Sequence, residues 1–468
     1  MARIFWFRRD LRLHDHPALN DAIAGAVDDG DTRVFAIVSG VDYQTSKELS
    51  PVRQESLLAS WRSLNADLGD QLTVLENPID GIIELSRREQ ITIIHVSAAF
   101  DTRSVAFMKD ARAKLEAAGL KLEVGGSNYA VNPGKVRKPD GTPYRVYTPF
   151  YKGWLALGWP APAELTTGCS FVRDQELHRG FDSPDYPQEF EGIATDFDAL
   201  KNIKAGESFA LRTFERFVGR NALASYDEGR NMADRGGTSH LSHALAHGEI
   251  HPRTLLSRLG DTPGEVVFAK ELAWREFYAD VLWHNPGSLT DYLEPRFANM
   301  RYDDHTQIGQ ERLEAWKRGE TGYPMVDAGM RQLIRDGWVH NRVRMIVASF
   351  LVKDLHLEWQ RGAEWFETWL TDFDPASNSQ GWQWTAGCGT DASPYYRVFN
   401  PILQGFKFDP NGDYVRKYVP ELSHIDGAAV HEPWLLPKAS VLGYPDRIVD
   451  HGVERDESLA RLAEIKVG

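Results

Sequence analysis

Apolar and polar residues alternate in blocks over the first 125 positions. A short apolar run at 3–7 (RIFWF) gives way to charged residues and then to a helical pattern in HPALNDAIAGA. RVFAIVS (33–39), LTVLE (72–76), ITIIHVS (91–97) and LKLEV (120–124) repeat the strand-like signal, and 91–97 is richest in β-branched residues. Helix-length stretches separate these runs. One covers 50–68, with Ser50 as N-cap and Pro51 at the first helical position; PIDGIIELSRREQ is the next, and a third covers about 102–118 and stops at Gly119. Such alternation predicts βαβ units and a doubly wound, Rossmann-like parallel sheet. No GxGxxG follows the first strand, so the usual dinucleotide fingerprint is missing.

The alternation stops after residue 125. Residues 126–200 hold eight prolines, about twice the usual ~5% usage, and read as a long, mostly irregular connector packed on the surface. From about 207 the signals are helical. SFALRTFERFV carries apolar residues at helical spacing, and FAKELAWREFYADVLWHNP is a long periodic run halted by Pro286. The expected organisation is an α/β domain over 1–125, a connector over 126–200 and an all-α domain over 201–468.

Composition narrows the class. The chain has 468 residues, 42% hydrophobic and 26% charged, as in ordinary globular proteins. No apolar run approaches the roughly 18–20 residues of a membrane span, and MARIFWFRRDL returns to charge too soon for a signal peptide. Two cysteines, Cys169 and Cys388, are too few for a disulfide framework or an iron–sulfur ligand set, which suits a reducing, cytoplasmic location. The net charge of −14 argues against loose, charge-driven binding of nucleic acid. From Met330 to Lys407, however, eight Lys/Arg balance eight Asp/Glu, so a local DNA-binding face is compatible with the acidic whole.

Three constellations carry chemistry. In SYDEGRNMADRGGTSHLSHAL, Gly236-Gly237 precede Thr238 and Ser239 at an expected helix start. Hydroxyls and free amides there suit a phosphate, although an ordinary capped helix explains the same spacing. In ELAWREFY, Glu271, Trp274 and Arg275 fall within one helical turn, and Glu271 and Arg275 could equally be a surface ion pair. The third lies in 321–407, where Asn341, Arg344 and Met345 share a helix face. There Asp372 and Asp374 flank Phe373, Asn378 precedes Trp382 by four, and Trp359 and Trp384 lie nearby in sequence. Arg344 with Asp372 is a plausible internal pair. Large aromatics set among amides and charges suit something flat with polar edges.

These motifs together resemble the DNA photolyase/cryptochrome family over nearly the full chain: FWFRRDLRLHDHPAL, TSHLSHAL, WREFY, TGYPMVDAGMRQL, WVHNRVRM, DFDPASNSQGWQW, PYYRVFNP and KFDPNGDYVRKYVPEL. Within it the chain looks most like a class I cyclobutane pyrimidine dimer photolyase. The resemblance implies an α/β antenna-type domain and a helical domain that binds FAD and UV-damaged DNA. It assigns Tyr226, Thr238, Ser239, His240, Leu241 and Ser242 to the FAD phosphates and ribitol, with Arg275 helping. Asp372, Phe373 and Asp374 would lie on the flavin side, with Arg344 pairing Asp372 and Asn378 facing the flavin N5. Trp274 and Trp384 would wall a flipped dimer, Met345 would touch it, and Asn341 and Glu271 would hydrogen-bond its edges. Glu271, kept protonated by burial, would stabilise the radical anion. Arg230, Arg342, Gln404 and Lys407 would meet the DNA backbone.

The resemblance also separates subtypes. A (6-4) enzyme would be expected to show His in place of Asn341, a DASH-type protein Gln for Met345 and Tyr for Trp384, and a plant-type cryptochrome Asp for Asn378. All these positions read as dimer photolyase. Two departures stand out. Trp382 and Trp359 supply the inner two members of the family's electron-transfer chain, but RYDDHTQIG (301–309), where the outer one belongs, has no Trp. Tyr302 and Trp316 are the substitutes at hand. The folate-antenna pattern is also unmet, which leaves folate, a deazaflavin, another flavin or no antenna as alternatives. No metal, membrane or obligate protein partner is expected, and the chain should be a monomer. The competing function is a cryptochrome-like FAD photoreceptor without repair, disfavoured by the absence of a long extension after SLARLAEIKVG.

Overall fold

In a computed structural model of the chain, residues 1–40, 49–182, 203–391, 396–438 and 441–465 are described. Contacts divide the protein into two compact units. The first contains the described residues of Met1–Glu191, Phe197–Ala224 and Ser239–Pro286; the second contains those of Ser225–Thr238 and Gly287–Gly468.

The first unit is built on strands β1 (Arg3–Trp6), β2 (Arg33–Ser39), β3 (Leu72–Leu75), β4 (Ile93–Ser97) and β5 (Lys121–Gly125). They pair in parallel in the order β3-β2-β1-β4-β5. Helices α1 (Pro17–Asp28), α2 (Pro51–Asp67), α3 (Pro78–Glu89) and α4 (Thr102–Ala117) fill the connections. Strand periodicity sorts the core into two faces. Phe5, Val34, Ala36 and Val38 pack with Leu19 and Ile23 of α1 and with Leu58 and Trp61 of α2. Ile4, Trp6, Phe35 and Ile37 pack on the other face with Ile82 and Leu85 of α3 and Ala111 and Leu115 of α4. The doubly wound sheet is therefore as the pattern predicts, and Ser50 caps α2 by accepting from the Arg53 amide.

Where it is described the connector is mostly irregular but holds one helix and a short strand; residues 183–200 lie outside the described set. Helix α5 (Tyr147–Leu157) forms there, and a two-residue strand β6 (Ser170–Phe171) pairs with β2. Proline density hid the helix. Pro149 sits in its first turn, where an amide has no intrahelical partner to lose, and Tyr147, Phe150 and Trp154 are its buried face. That face packs on the 22-residue helix Pro263–His284: Tyr147 stacks on Trp274 with ring centroids 3.7 Å apart, and Phe150 lies 5.0 Å from Phe277.

The second unit is helical in its described residues from Gly287 onward. Helices Pro324–Asp336, Asn341–Lys353, Trp359–Trp369 and Pro375–Ala386 enclose Met330, Leu333, Val347, Phe350, Trp359, Trp369 and Trp382. Part of the TGYPMVD motif is a fold device: the buried Asp327 carboxylate accepts from the Thr321 amide and hydroxyl, the Gly322 amide and the Tyr444 hydroxyl. Among the described residues no helix is long and apolar enough to cross a membrane.

Candidate functional site

In the first unit, Glu271, Trp274 and Arg275 project from the Pro263–His284 helix. Thr262 starts that helix with a capping box closed by Glu265. Glu271 is half-buried, as is Trp274, one face of which is covered by Tyr147. Arg275 donates to the carbonyls of Asn128 (2.7 Å) and Leu245 (3.2 Å) and lies over the Tyr129 ring. Its guanidinium is thus tied to its own unit. Glu276, one residue further on, is fully buried. It accepts from the amides of Ala130 and Val131 and from the Trp154 indole, and burial pushes its pKa up to about 7 in spite of those donors. Sequence reading passed over Glu276, because its donors lie far away in the chain.

Thr238 and Ser239 do not begin a helix. The helix there is Ser242–His247, with Leu241 at the cap and no capping side chain. His240, at φ +54°, turns the chain left-handed and keeps the helix from reaching back to Ser239. Ser239 instead takes the Leu241 amide at 3.4 Å. Ahead of this stretch, within the second unit, Gly237 passes so close to Gly229 that a Cβ would lie 2.4 Å from its carbonyl oxygen. A glycine there keeps the Tyr226–Gly229 turn and Thr238 in one folded loop, with Arg230 over the Tyr226 ring.

The remaining residues of the second unit form two groups. In the first, Arg344 donates to Asp372 at 2.7 Å and to the Val339 carbonyl at 2.7 Å. Asp372 is buried, and its other oxygen, Oδ1, has no hydrogen-bond partner among the described residues. Phe373 is buried beside it. Asp374 caps the Pro375–Ala386 helix through the Ser377 amide, and the Asn378 side-chain amide donates to the Ala363 carbonyl on the neighbouring helix. In the second group, His340 caps the Asn341–Lys353 helix, leaving Asn341 exposed at its first position with Arg344 and Met345 half-buried a turn later. Arg342 reaches Asn231 (2.7 Å), the Met345 sulfur and the face of Phe408, against which Lys407 also lies. The Ala233 amide donates to the Phe408 carbonyl. Three segments that are remote in sequence, 230–233, 341–345 and 407–408, are thereby held together and carry Arg230, Arg342 and Lys407. Gln404 sits half-buried one turn before Phe408.

Trp382 and Trp359 are both buried. Trp382 lies against the Trp359–Trp369 helix at Gly362, where a Cβ would come within 2.1 Å of its ring. Trp316 also touches Trp382, at 6.1 Å, but is fully buried with its indole nitrogen on the Val347 carbonyl, so it cannot be a surface end of the route.

Two family models match the chain, one described as DNA photolyase over residues 3–166 and one as the FAD binding domain of DNA photolyase over residues 268–464. A deoxyribodipyrimidine photo-lyase of Agrobacterium fabrum is 37% identical, covering 99% of this chain and 98% of its own. One from Escherichia coli is 34% identical over 99% of each. The chain belongs to the DNA photolyase family. Among solved structures, a bacterial class III photolyase from Agrobacterium tumefaciens superposes with a TM-score of 0.84 at 35% identity, covering 100% of this chain and 98% of that one. A Synechocystis cryptochrome reaches 0.85 at 26% identity, covering 98% of each.

The residues of this photolyase fit the family's flavin. Asp372 Oδ1 is a buried acceptor that lacks a donor among the described residues, a costly state for a carboxylate. FAD carries ring N–H and sugar hydroxyl donors that such an oxygen needs. Among the described residues no group of three His, Cys, Asp or Glu side chains is placed to hold a metal.

Proposed function

We propose that the chain is a light-dependent repair enzyme that splits cyclobutane pyrimidine dimers in DNA. The observation that carries this reading is identity above 30% over nearly the whole length to several proteins named deoxyribodipyrimidine photo-lyase. Bound FAD in its reduced form supplies an electron on absorbing light, and it is recovered when the electron comes back from the opened dimer.

The protein's own groups bind, orient and polarise. Asp372, held by Arg344, offers its free oxygen to the cofactor, with Phe373, Asp374 and Asn378 on the same side. Tyr226 and Thr238 in the second unit, and Ser239, His240, Leu241, Ser242 and Arg275 in the first, carry the hydroxyls, amides and charge that phosphates and a sugar need. Arg230, Arg342, Gln404 and Lys407 grip phosphates flanking the lesion, which fixes register without reading sequence. A dimer must leave the duplex to be reached. In the second unit Trp384 offers it a packing face, Met345 a soft contact and Asn341 a hydrogen bond; in the first, Trp274 and Glu271 offer the same kinds of contact. A proton on Glu271 aimed at a carbonyl of the dimer stabilises the added negative charge. Trp382 and Trp359 serve the separate task of passing electrons inward to reduce the oxidised flavin.

The fold is shared with a cryptochrome, so the alternative is an FAD photoreceptor without repair. Binding separates the two. FAD-loaded protein should hold an oligonucleotide with one dimer about a hundredfold or more tightly than the undamaged strand, a difference of ~3 kcal/mol. Equal affinity for both strands favours the photoreceptor.

A further inference from the structure

From the buried Trp359 an aromatic path of the second unit leads outward. Tyr292 meets Trp359 edge-on, with centroids 6.3 Å apart at 86°, and stacks on Tyr302 at 6.2 Å and 18°. Trp359 is 1% exposed, whereas both tyrosines are only half-buried, so the path runs from the core towards solvent. The Tyr292 hydroxyl donates to Glu358 Oε1 at 3.2 Å, and Glu358 is the residue immediately before Trp359. The two tyrosine hydroxyls also lie near enough to each other to interact electrostatically.

The arrangement is pinned from several sides. The fully buried Gln383, next to Trp382, accepts from the Leu293 amide at 2.7 Å and donates to the carbonyls of Ser288 and Asp291. These bonds fix the strand of chain that carries Tyr292. The Glu358 amide donates to Asp304, and the Asp303 amide to the His356 carbonyl, which fixes Tyr302 against the start of the tryptophan helix.

We propose that Tyr292, with Glu358 as its proton acceptor, is the electron donor to Trp359, and that Tyr302 carries the oxidation onward to the surface. The inference rests on the reading of Trp382 and Trp359 as electron carriers. In the step, Trp359 has lost one electron towards the photoexcited oxidised flavin. Tyr292 gives one electron to Trp359 and its phenolic proton to Glu358, which leaves a neutral tryptophan, a neutral tyrosyl radical and a protonated carboxyl group. Tyr302 then passes an electron and a proton to the Tyr292 oxygen, and a thiol in solution restores Tyr302. Losing the proton with the electron makes the transfer hard to reverse, because the electron cannot return until the proton does. Burial and the neighbouring Asp304 charge raise the Glu358 pKa, while His305, Arg361 and the Tyr292 hydroxyl oppose the rise. The result is a better base than an ordinary surface carboxylate. Both phenols are held protonated by burial, so each keeps its proton until it is oxidised.

The test is flash absorption spectroscopy of the full chain loaded with oxidised FAD. The narrow tyrosyl band should rise as the broad tryptophanyl band decays, and more slowly in D2O. Tyr292→Phe, which keeps the ring, should abolish the tyrosyl band and prolong the tryptophanyl one. Glu358→Gln should slow the rise about a hundredfold or more, as loss of a positioned base does. An unchanged flavin spectrum in each variant shows that the cofactor site is intact. A tryptophanyl signal with no tyrosyl signal in the unaltered protein, or an unchanged tyrosyl signal in Tyr292→Phe, overturns the proposal while leaving the tryptophan route standing. A radical that still forms in Trp382→Phe overturns the tryptophan route on which the proposal rests.

Discussion

Arg344 and Asp372 are joined across 28 positions of sequence by a 2.7 Å ion pair that spends only one of the carboxylate's two oxygens. The other oxygen is buried and has no donor among the described residues. A group built to be half satisfied by the protein is a binding group. Asp372→Asn should therefore weaken FAD binding about tenfold to a hundredfold, the effect of losing a charge-assisted hydrogen bond of ~1.5–3 kcal/mol. Titration of the flavin-free protein checks this, with the melting temperature of the same protein separating loss of fold from loss of affinity. Unchanged affinity would remove Asp372 from the cofactor site.

Glu271 is half-buried on the helix that also carries the fully buried Glu276. Its proposed part is a hydrogen bond to the dimer, not a hold on the cofactor. Glu271→Ala should lower the yield of repair per absorbed photon about tenfold, the effect of losing one hydrogen bond to a charged group worth ~1.5 kcal/mol. The flavin content should stay at the wild-type level. A normal yield would refute the role.

Gly362 lets the edge of the Trp382 ring press close against the Trp359–Trp369 helix. An added methyl would sit 2.1 Å from the Trp382 ring and 2.6 Å from a Leu351 methyl group, so either the ring or the helix must move. Gly362→Ala should cost ~1–3 kcal/mol as overpacking, seen as a lower denaturant midpoint. It should also slow photoreduction of oxidised flavin, because it displaces the inner tryptophan.

Lys353 is buried with its ammonium on the Arg397 carbonyl at 2.6 Å and over the Tyr396 ring, and burial pushes its pKa down to about 7. The unfolded chain keeps this proton to about pH 10.5. Between pH 7 and 10.5 the unfolded state thus binds more protons than the folded one, and the lysine's contribution to stability rises with pH. Below pH 7 both states are charged and the full burial cost applies. The wild type should gain stability relative to Lys353→Met from pH 7 to pH 9, and the gap should level off below pH 6. A constant gap across this range would mean that the lysine is not buried as described.

Much of the fold is legible in the sequence because apolar periodicity reports burial directly. Ile4 and Phe5 alternate between two faces of a sheet, and both cores follow from that. Residues whose place depends on partners elsewhere are not legible. Nothing near Glu276 announces that Ala130, Val131 and Trp154 will surround it, and nothing near Glu358 names Tyr292. The helix start expected at Thr238 fails for a local reason, the left-handed turn at His240, which a histidine does not advertise. Proline density in 126–200 suggested irregular chain, yet Pro149 is harmless in a first turn. The Arg344–Asp372 pair was legible, since a buried carboxylate requires an opposite charge. The deficiency at Asp372 Oδ1 was not.

The central claim is that light absorbed by the reduced, FAD-loaded protein splits pyrimidine dimers. The most direct measurement mixes that protein with an oligonucleotide containing one cyclobutane thymine dimer and follows intact dimer by chromatography, in blue or near-ultraviolet light and in the dark. Dimers should disappear only in the light, with restored thymines in equal number and many turnovers per protein. Persistence of the dimer under illumination, with FAD bound and reduced, would contradict the account and leave the photoreceptor.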